Sequence, residues 1–304
     1  MRLALLFSGQ GGQRPEHWKQ VAEGASGELR QALLRCLPDL ANSDFCPEPD
    51  MLARNVVAQP LIFGQQMLLW SALQARLPRP VCVAGYSLGE MAACSVAGVF
   101  GAAQGVELTA ERARLMDSAA GGPSGMLAVL GLDEALVEKL AAAHGLSIAI
   151  YNAPQHVVLA GPQEGLRPAA EALAAAGASR LVQLAVRTPS HTPRLSEASA
   201  GFRRCLADIP DQRLSIPVLS AIDATPARTS AAALDALARQ ISSPLNWLSC
   251  LEVVREMQPD VVLEIGPGDA LSKLFAEVAP DIPVRPADAF KSTDGILAWL
   301  ERFN

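Results

Sequence analysis

The segment Gly85-Tyr86-Ser87-Leu88-Gly89 sets a serine between two glycines, directly after the apolar run Val81–Ala84 and before an Ala-rich, helix-favouring stretch. A strand-to-helix turn of this G-x-S-x-G kind lifts the serine hydroxyl clear of the backbone. It also aims the following N–H at the same point, the geometry of a nucleophile attacking a carbonyl. The bland alternative is a tight turn that needs only its glycines. A serine nucleophile needs a base, and the chain has four histidines: His17, His144, His156 and His191. His144 stands beside Gly145 at the end of a helical pattern and His156 in a hairpin turn, both positions that favour solvent. His17 lies in the loop after Gly11-Gly12. His191, within Arg187–Thr192, lies where the chain changes rhythm. Clefts form at such junctions, which makes His191 the leading base, with helix capping or packing as the alternative. A hydrolase-type order of Ser, acid, His asks for a carboxylate between Ser87 and His191. Asp133 and Glu164 are available but fall inside a separate small module, so a backbone carbonyl could orient the imidazole instead.

An oxyanion hole needs two N–H groups. Leu88 offers one, and the loop Ser8-Gly9-Gln10-Gly11-Gly12-Gln13 after the first apolar run offers the other. In open α/β sheets, ligands bind at that carboxyl end of the strands. The loop does not fit a dinucleotide fingerprint, because Arg14 stands at the third glycine position, and it lacks the Lys-Ser/Thr of a P-loop. Arg112 and Arg114 lie on the helical pattern that follows. A buried arginine facing Ser87 would select an acyl group ending in a carboxylate; a solvated helix face is the other reading.

These residues need a scaffold. The chain has 304 residues, half of them apolar and few aromatic, enough for a large α/β domain with a smaller one attached. Arg2–Phe7 reads as a buried parallel strand, and Val81–Ala84, Ile216–Ser220 and Val261–Ile265 read as further strands. Helical patterns cover 28–37, 59–76, 106–119, 193–207, 231–241, 247–256 and 295–302. Between Gly121-Gly122-Pro123 and Thr188-Pro189 the order becomes β-α-β-β-α-β, the pattern of a ferredoxin-like module. The expected architecture is thus a hydrolase-like large domain with a parallel sheet, residues 1–123 and 188–304, and an inserted ferredoxin-like (βαββαβ) subdomain, residues 124–187. The net charge of −6 with no basic run points away from nucleic acid. Six cysteines form no CxxC pair and no histidine sits at metal-ligand spacing from them, so no metal or disulfide framework is expected. Leu3–Phe7 is too short for a signal-peptide core, and no apolar stretch is expected to approach the roughly 20 residues needed to span a bilayer, so a cytoplasmic protein without a membrane partner is expected.

Seven ordered segments resemble the malonyl-CoA:acyl carrier protein transacylase family: FSGQGGQ (7–13), GYSLGE (85–90), ERARLM (111–116), YNAPQHVVLAG (151–161), TPSH (188–191), SPLNW (243–247) and EIGPG (264–268). The resemblance implies that Ser87 becomes acylated, that His191 is the general base, and that Arg112 binds the malonyl carboxylate. It implies an oxyanion hole from the N–H groups of Gln10 and Leu88, and a backbone carbonyl near Gln240 that orients the histidine. It also brings in Asn152 as a substrate-binding candidate. No bound cofactor is implied; malonyl-CoA is a substrate and an acyl carrier protein the acceptor. Two departures stand out: Ser8 replaces the family's proline, and Tyr86 replaces its histidine. The G-Y-S form and the ending DAFKSTDGILAWLERF resemble the epsilon subunit of biotin-independent malonate decarboxylase. That implies a carrier bearing a phosphoribosyl-dephospho-CoA thiol and other decarboxylase subunits as partners. The alternatives are a fatty-acid or polyketide transacylase with a phosphopantetheine carrier, or a serine thioesterase or esterase.

Overall fold

The computed structural model describes residues 1–304. Strand β1 (Leu3–Phe7) opens the fold, followed by helices α1 (Pro15–Gly24), α2 (Gly27–Cys36), α3 (Pro49–Ala53) and α4 (Asn55–Leu73). Strand β2 (Cys82–Gly85) leads through the Ser87 turn into α5 (Gly89–Val96), and α6 (Ala102–Ala119) completes the first segment. The insertion reads β3 (Ser124–Leu130), α7 (Glu134–Ala142), β4 (Ser147–Ala153), β5 (His156–Pro162), α8 (Gln163–Ala175), β6 (Arg180–Gln183). The chain then continues through α9 (Ser196–Cys205), β7 (Arg213–Leu219), β8 (Pro226–Thr229), α10 (Ser230–Arg239), β9 (Leu245–Asn246) and α11 (Trp247–Glu256). It ends with β10 (Val261–Ile265), α12 (Ala270–Val278), β11 (Val284–Pro286) and α13 (Thr293–Leu300).

The large sheet has the order β11-β10-β1-β2-β7-β8, parallel throughout except for the antiparallel edge pair β7–β8. Its central strands are buried on both faces, as their unbroken apolar runs require. One face packs on the principal core with Leu5, Phe7, Val83 and Leu263; the other packs Ala4, Leu6, Ala84 and Val262 against α11 and α12.

The small sheet has the order β6-β3-β5-β4, the ferredoxin-like arrangement, with its own core under α7 and α8. A fifth strand comes from outside residues 124–187: Leu245 and Asn246 of β9 pair in parallel with Ile150 and Tyr151 of β4. The SPLNW segment is thus a structural seam. Asn246 N–H donates to Ala221 O, and its side chain caps α11 at Ser249 N.

The expectation that no apolar stretch approaches spanning length needs correction at α4. Residues 55–76 form one helix long and apolar enough, by length and composition, to cross a membrane. Most of that helix is buried within the fold, and a helix enclosed on all sides by core is apolar all round for that reason. Its polar members Asn55, Gln59 and Gln66 are buried and spend their hydrogen bonds on the site and on the loops above the sheet.

Candidate active site

Ser87 sits at the carboxyl end of β2 with φ 54, a left-handed conformation that a non-glycine residue adopts only when its surroundings impose it. The glycines explain the imposition. A Cβ at Gly85 would collide with the backbone of Glu90, and one at Gly89 with the carbonyl of Phe7. Strand β1, the turn and α5 therefore pack closer than any side chain permits, and the serine is pushed outward.

His191 meets it. Nε2 of His191 lies 2.8 Å from Ser87 Oγ, although 104 residues separate them. Nδ1 lies 2.6 Å from the Gln240 carbonyl oxygen. A carbonyl only accepts, so Nδ1 carries the proton, and Nε2 is left to accept from the serine hydroxyl. Gln240 is the C-cap of α10, where carbonyls lack an intrahelical partner and the helix end carries partial negative charge. No carboxylate contacts His191, in keeping with the carbonyl alternative. Burial holds the imidazole neutral, pushing its pKa down to about 3; the carbonyl opposes that shift and the charge of Arg112 adds to it.

Arg112 is only 1% exposed. Its Nη1 donates to Gln59 Oε1 at 2.8 Å, while Nε and Nη2 have no partner. Burial lowers its pKa to about 10, against the pull of Glu90, so the guanidinium stays charged at neutral pH. A buried cation with two free N–H edges is matched to a planar anion such as a carboxylate. Arg114, the other candidate on α6, is exposed and paired to Glu111 of its own helix.

The N–H groups of Gln10 and Leu88 make no hydrogen bond within the chain. The Gln10 side chain donates to Ala53 O at 3.0 Å, and Gln66 from α4 donates to Ser8 O at 2.8 Å, which fixes the Gly-rich loop against the carboxyl end of the sheet. The EIGPG segment supports it from the other side. Glu264 accepts from Leu271 N and Ser272 N at the start of α12. Asp288 accepts from Gly268 N and from the imidazole of His17, which is buried on α1 rather than placed in a loop.

Ser87, Leu88, His191, Arg112 and Gln10 line one cleft between the two sheets, together with Asn55, Gln59, Tyr86, Met116, Met126, Ile150, Leu184, Val186 and Ser190. Asn152 is not in its wall. Its side chain is buried behind Tyr86, accepting from the tyrosine hydroxyl at 3.1 Å and facing His156 Nε2 at 3.4 Å. His156 is accordingly half-buried rather than exposed. Sequence reasoning missed Gln59 and Asn55. Their signal was available: polar residues inside an otherwise apolar helix have to be hydrogen-bonded to something.

Residues 6–278 match the family model described as acyl transferase domain. The chain is 32% identical over 289 residues to the malonyl CoA-acyl carrier protein transacylase of Salmonella typhimurium, covering 91% of this chain and 93% of that protein. The crystal structure of malonyl-CoA:acyl carrier protein transacylase from Xanthomonas oryzae superposes with a TM-score of 0.87 at 30% identity, over 98% of this chain and 99% of that one. A malonyl-transacylase in complex with its type II polyketide-synthase acyl-carrier protein gives a TM-score of 0.86 at 27% identity, over 98% of this chain and 99% of that one. An α/β fold with a parallel sheet and a small inserted subdomain, and a match across nine-tenths of the chain, lead to one conclusion: the chain belongs to the acyl transferase domain family.

Proposed function

We propose that this acyltransferase moves malonyl from malonyl-CoA to the thiol of an acyl carrier protein through a malonyl ester of Ser87. The observation that carries the reading is the 2.8 Å approach of His191 Nε2 to Ser87 Oγ in a cleft that Arg112 also lines. In the first half-reaction His191 takes the serine proton as Oγ attacks the thioester carbonyl. The oxyanion is stabilised by the N–H groups of Gln10 and Leu88, aided by the positive end of α5. The C–S bond then breaks, and the imidazolium protonates the departing CoA thiolate. In the second half His191 takes the proton of the carrier thiol, the thiolate attacks the ester, and the proton returns to Ser87. Arg112 holds the malonyl carboxylate, which fixes the carbonyl over the serine. The relatives named above are malonyl CoA-acyl carrier protein transacylases, and one was solved with a carrier bound.

For the acceptor, we favour the carrier subunit of malonate decarboxylase, whose thiol sits on a phosphoribosyl-dephospho-CoA group. The support is the G-Y-S form at 85–87 and the C-terminal segment from Asp288. The names of the relatives favour the second reading, a fatty-acid or polyketide carrier with a phosphopantetheine thiol. Malonyl-loaded protein incubated with each carrier, followed by intact mass measurement, separates them: the decarboxylase carrier gains malonyl faster under the first reading, the phosphopantetheine carrier under the second. Continued release of CoA beyond one equivalent per chain, as fast without carrier as with it, would contradict both and make the chain a thioesterase.

A further inference from the structure

Glu90 stands three residues after Ser87, in the first turn of α5, and is fully buried. One of its oxygens, Oε2, accepts from Ala221 N and from Gln240 Nε2, each at 3.2 Å. The same Gln240 amide nitrogen donates to the Ser87 carbonyl at 3.2 Å. The main chain of Gln240 presents the carbonyl that accepts from His191 Nδ1. Gln240 is therefore held at three points: by its N–H in the last turn of α10, and by its side chain at both Glu90 and the serine turn. No side chain other than Glu90 bonds to the Gln240 amide, whose oxygen has no partner.

We infer that Glu90 is a positioning residue for acyl transfer: its carboxyl oxygen anchors the Gln240 side chain and so aims the Gln240 carbonyl at His191. The inference rests on the acyl-serine reading above. Burial raises the Glu90 pKa to about 8, with the Ala221 N–H and Arg112 opposing. Asp223 beyond β7 pushes it up further, and Arg239 of α10 draws it down. The second oxygen, Oε1, is buried without a partner, a situation a neutral carboxyl tolerates far better than a carboxylate. The residue does not touch the reacting atoms. Its contribution is the direction of one carbonyl, and a misaligned base costs on the order of 10²-fold in rate.

The test measures malonyl-CoA acylation by rapid-quench intact mass for the full chain and for Glu90→Gln, Glu90→Leu, Gln240→Ala and the Glu90→Leu/Gln240→Ala double variant, with unfolding midpoints alongside. Glu90→Gln keeps an acceptor oxygen and is expected to acylate close to the wild-type rate. Glu90→Leu and Gln240→Ala are expected to slow acylation roughly 10- to 100-fold with KM for malonyl-CoA held, and the double variant to fall no further than either. Should Glu90→Leu fail to fold, the Gln240→Ala and Glu90→Gln pair still decides. The inference is overturned if a folded Glu90→Leu or Gln240→Ala acylates like wild type, if Glu90→Gln loses the rate as well, or if the two single losses add. A wild-type chain that forms no acyl-enzyme would instead overturn the acyl-serine reading, and this inference with it.

Discussion

The Tyr86 hydroxyl donates to Asn152 Oδ1 at 3.1 Å, tying the turn that carries Ser87 to strand β4 of the small subdomain. The ring also meets Trp247 edge-on, with centroids 5.3 Å apart. The tyrosine thus bridges the two sheets at the back of the cleft. Tyr86→Phe leaves the Asn152 oxygen unpaired and is expected to cost about 1 kcal/mol of stability, read from the urea midpoint. It keeps the glycines that shape the turn, so the acyl-enzyme should still form. Complete loss of the adduct in a folded Tyr86→Phe protein would mean that the hydroxyl takes part in the chemistry.

Arg112 is buried with two unpaired N–H edges, and an acyl group without a carboxylate leaves them unpaired. A charge-assisted hydrogen bond contributes about 1.5–3 kcal/mol. Arg112→Ala should therefore lower kcat/KM for malonyl-CoA by roughly 10- to 150-fold while leaving acetyl-CoA little changed. Equal loss for both substrates would remove the carboxylate-binding role.

The pH profile follows from His191. A base acts when neutral, and burial keeps this imidazole neutral down to about pH 3. The acid limb of kcat/KM should therefore lie well below the usual histidine value of about 6.5. The sign for stability is the same. Below the unfolded value only the unfolded chain takes up the proton, so stability falls as pH drops from about 6.5 toward 3. An inflection in kcat/KM at pH 6.5 or above would show an imidazole that solvent reaches.

Gly89 has no room for a methyl group against the Phe7 carbonyl, whereas Gly101 has nothing within 4 Å of its Cβ position. Gly89→Ala is expected to cost about 1–3 kcal/mol and to displace the serine turn enough to abolish acylation. Gly101→Ala, at the N-cap of α6, should cost about 0.5–1 kcal/mol and leave acylation intact. Equal tolerance of the two would remove close packing as the reason for the G-x-S-x-G spacing.

What could be read before the fold was known, and what could not, divides by the range of the interactions. The Ser87 turn is local: an apolar strand, two glycines and a helix are consecutive in the chain. The ferredoxin-like module was equally legible, because its six elements follow one another with breakers at both ends. Strands β8, β9 and β11 escaped, since two to four residues are too few to show a period and β9 is defined by its distant partner β4. Helix α1 begins with Pro15-Glu16-His17 and carries few apolar residues, so its start read as loop and the buried contact of His17 with Asp288 stayed hidden. The links from Arg112 to Gln59 and from Glu90 to Gln240 cross between helices 53 and 150 residues apart. Only packing brings such pairs together, and no spacing rule reports them.

The central claim is that Ser87 carries the acyl group. Its most direct test is intact mass measurement, with peptide mapping, of wild type and Ser87→Ala after incubation with malonyl-CoA. The account predicts a single malonyl adduct on wild type, mapped to residues 85–90, and none on a folded Ser87→Ala protein. An adduct of the same stoichiometry on Ser87→Ala, or one mapped to another residue of the wild type, would contradict it.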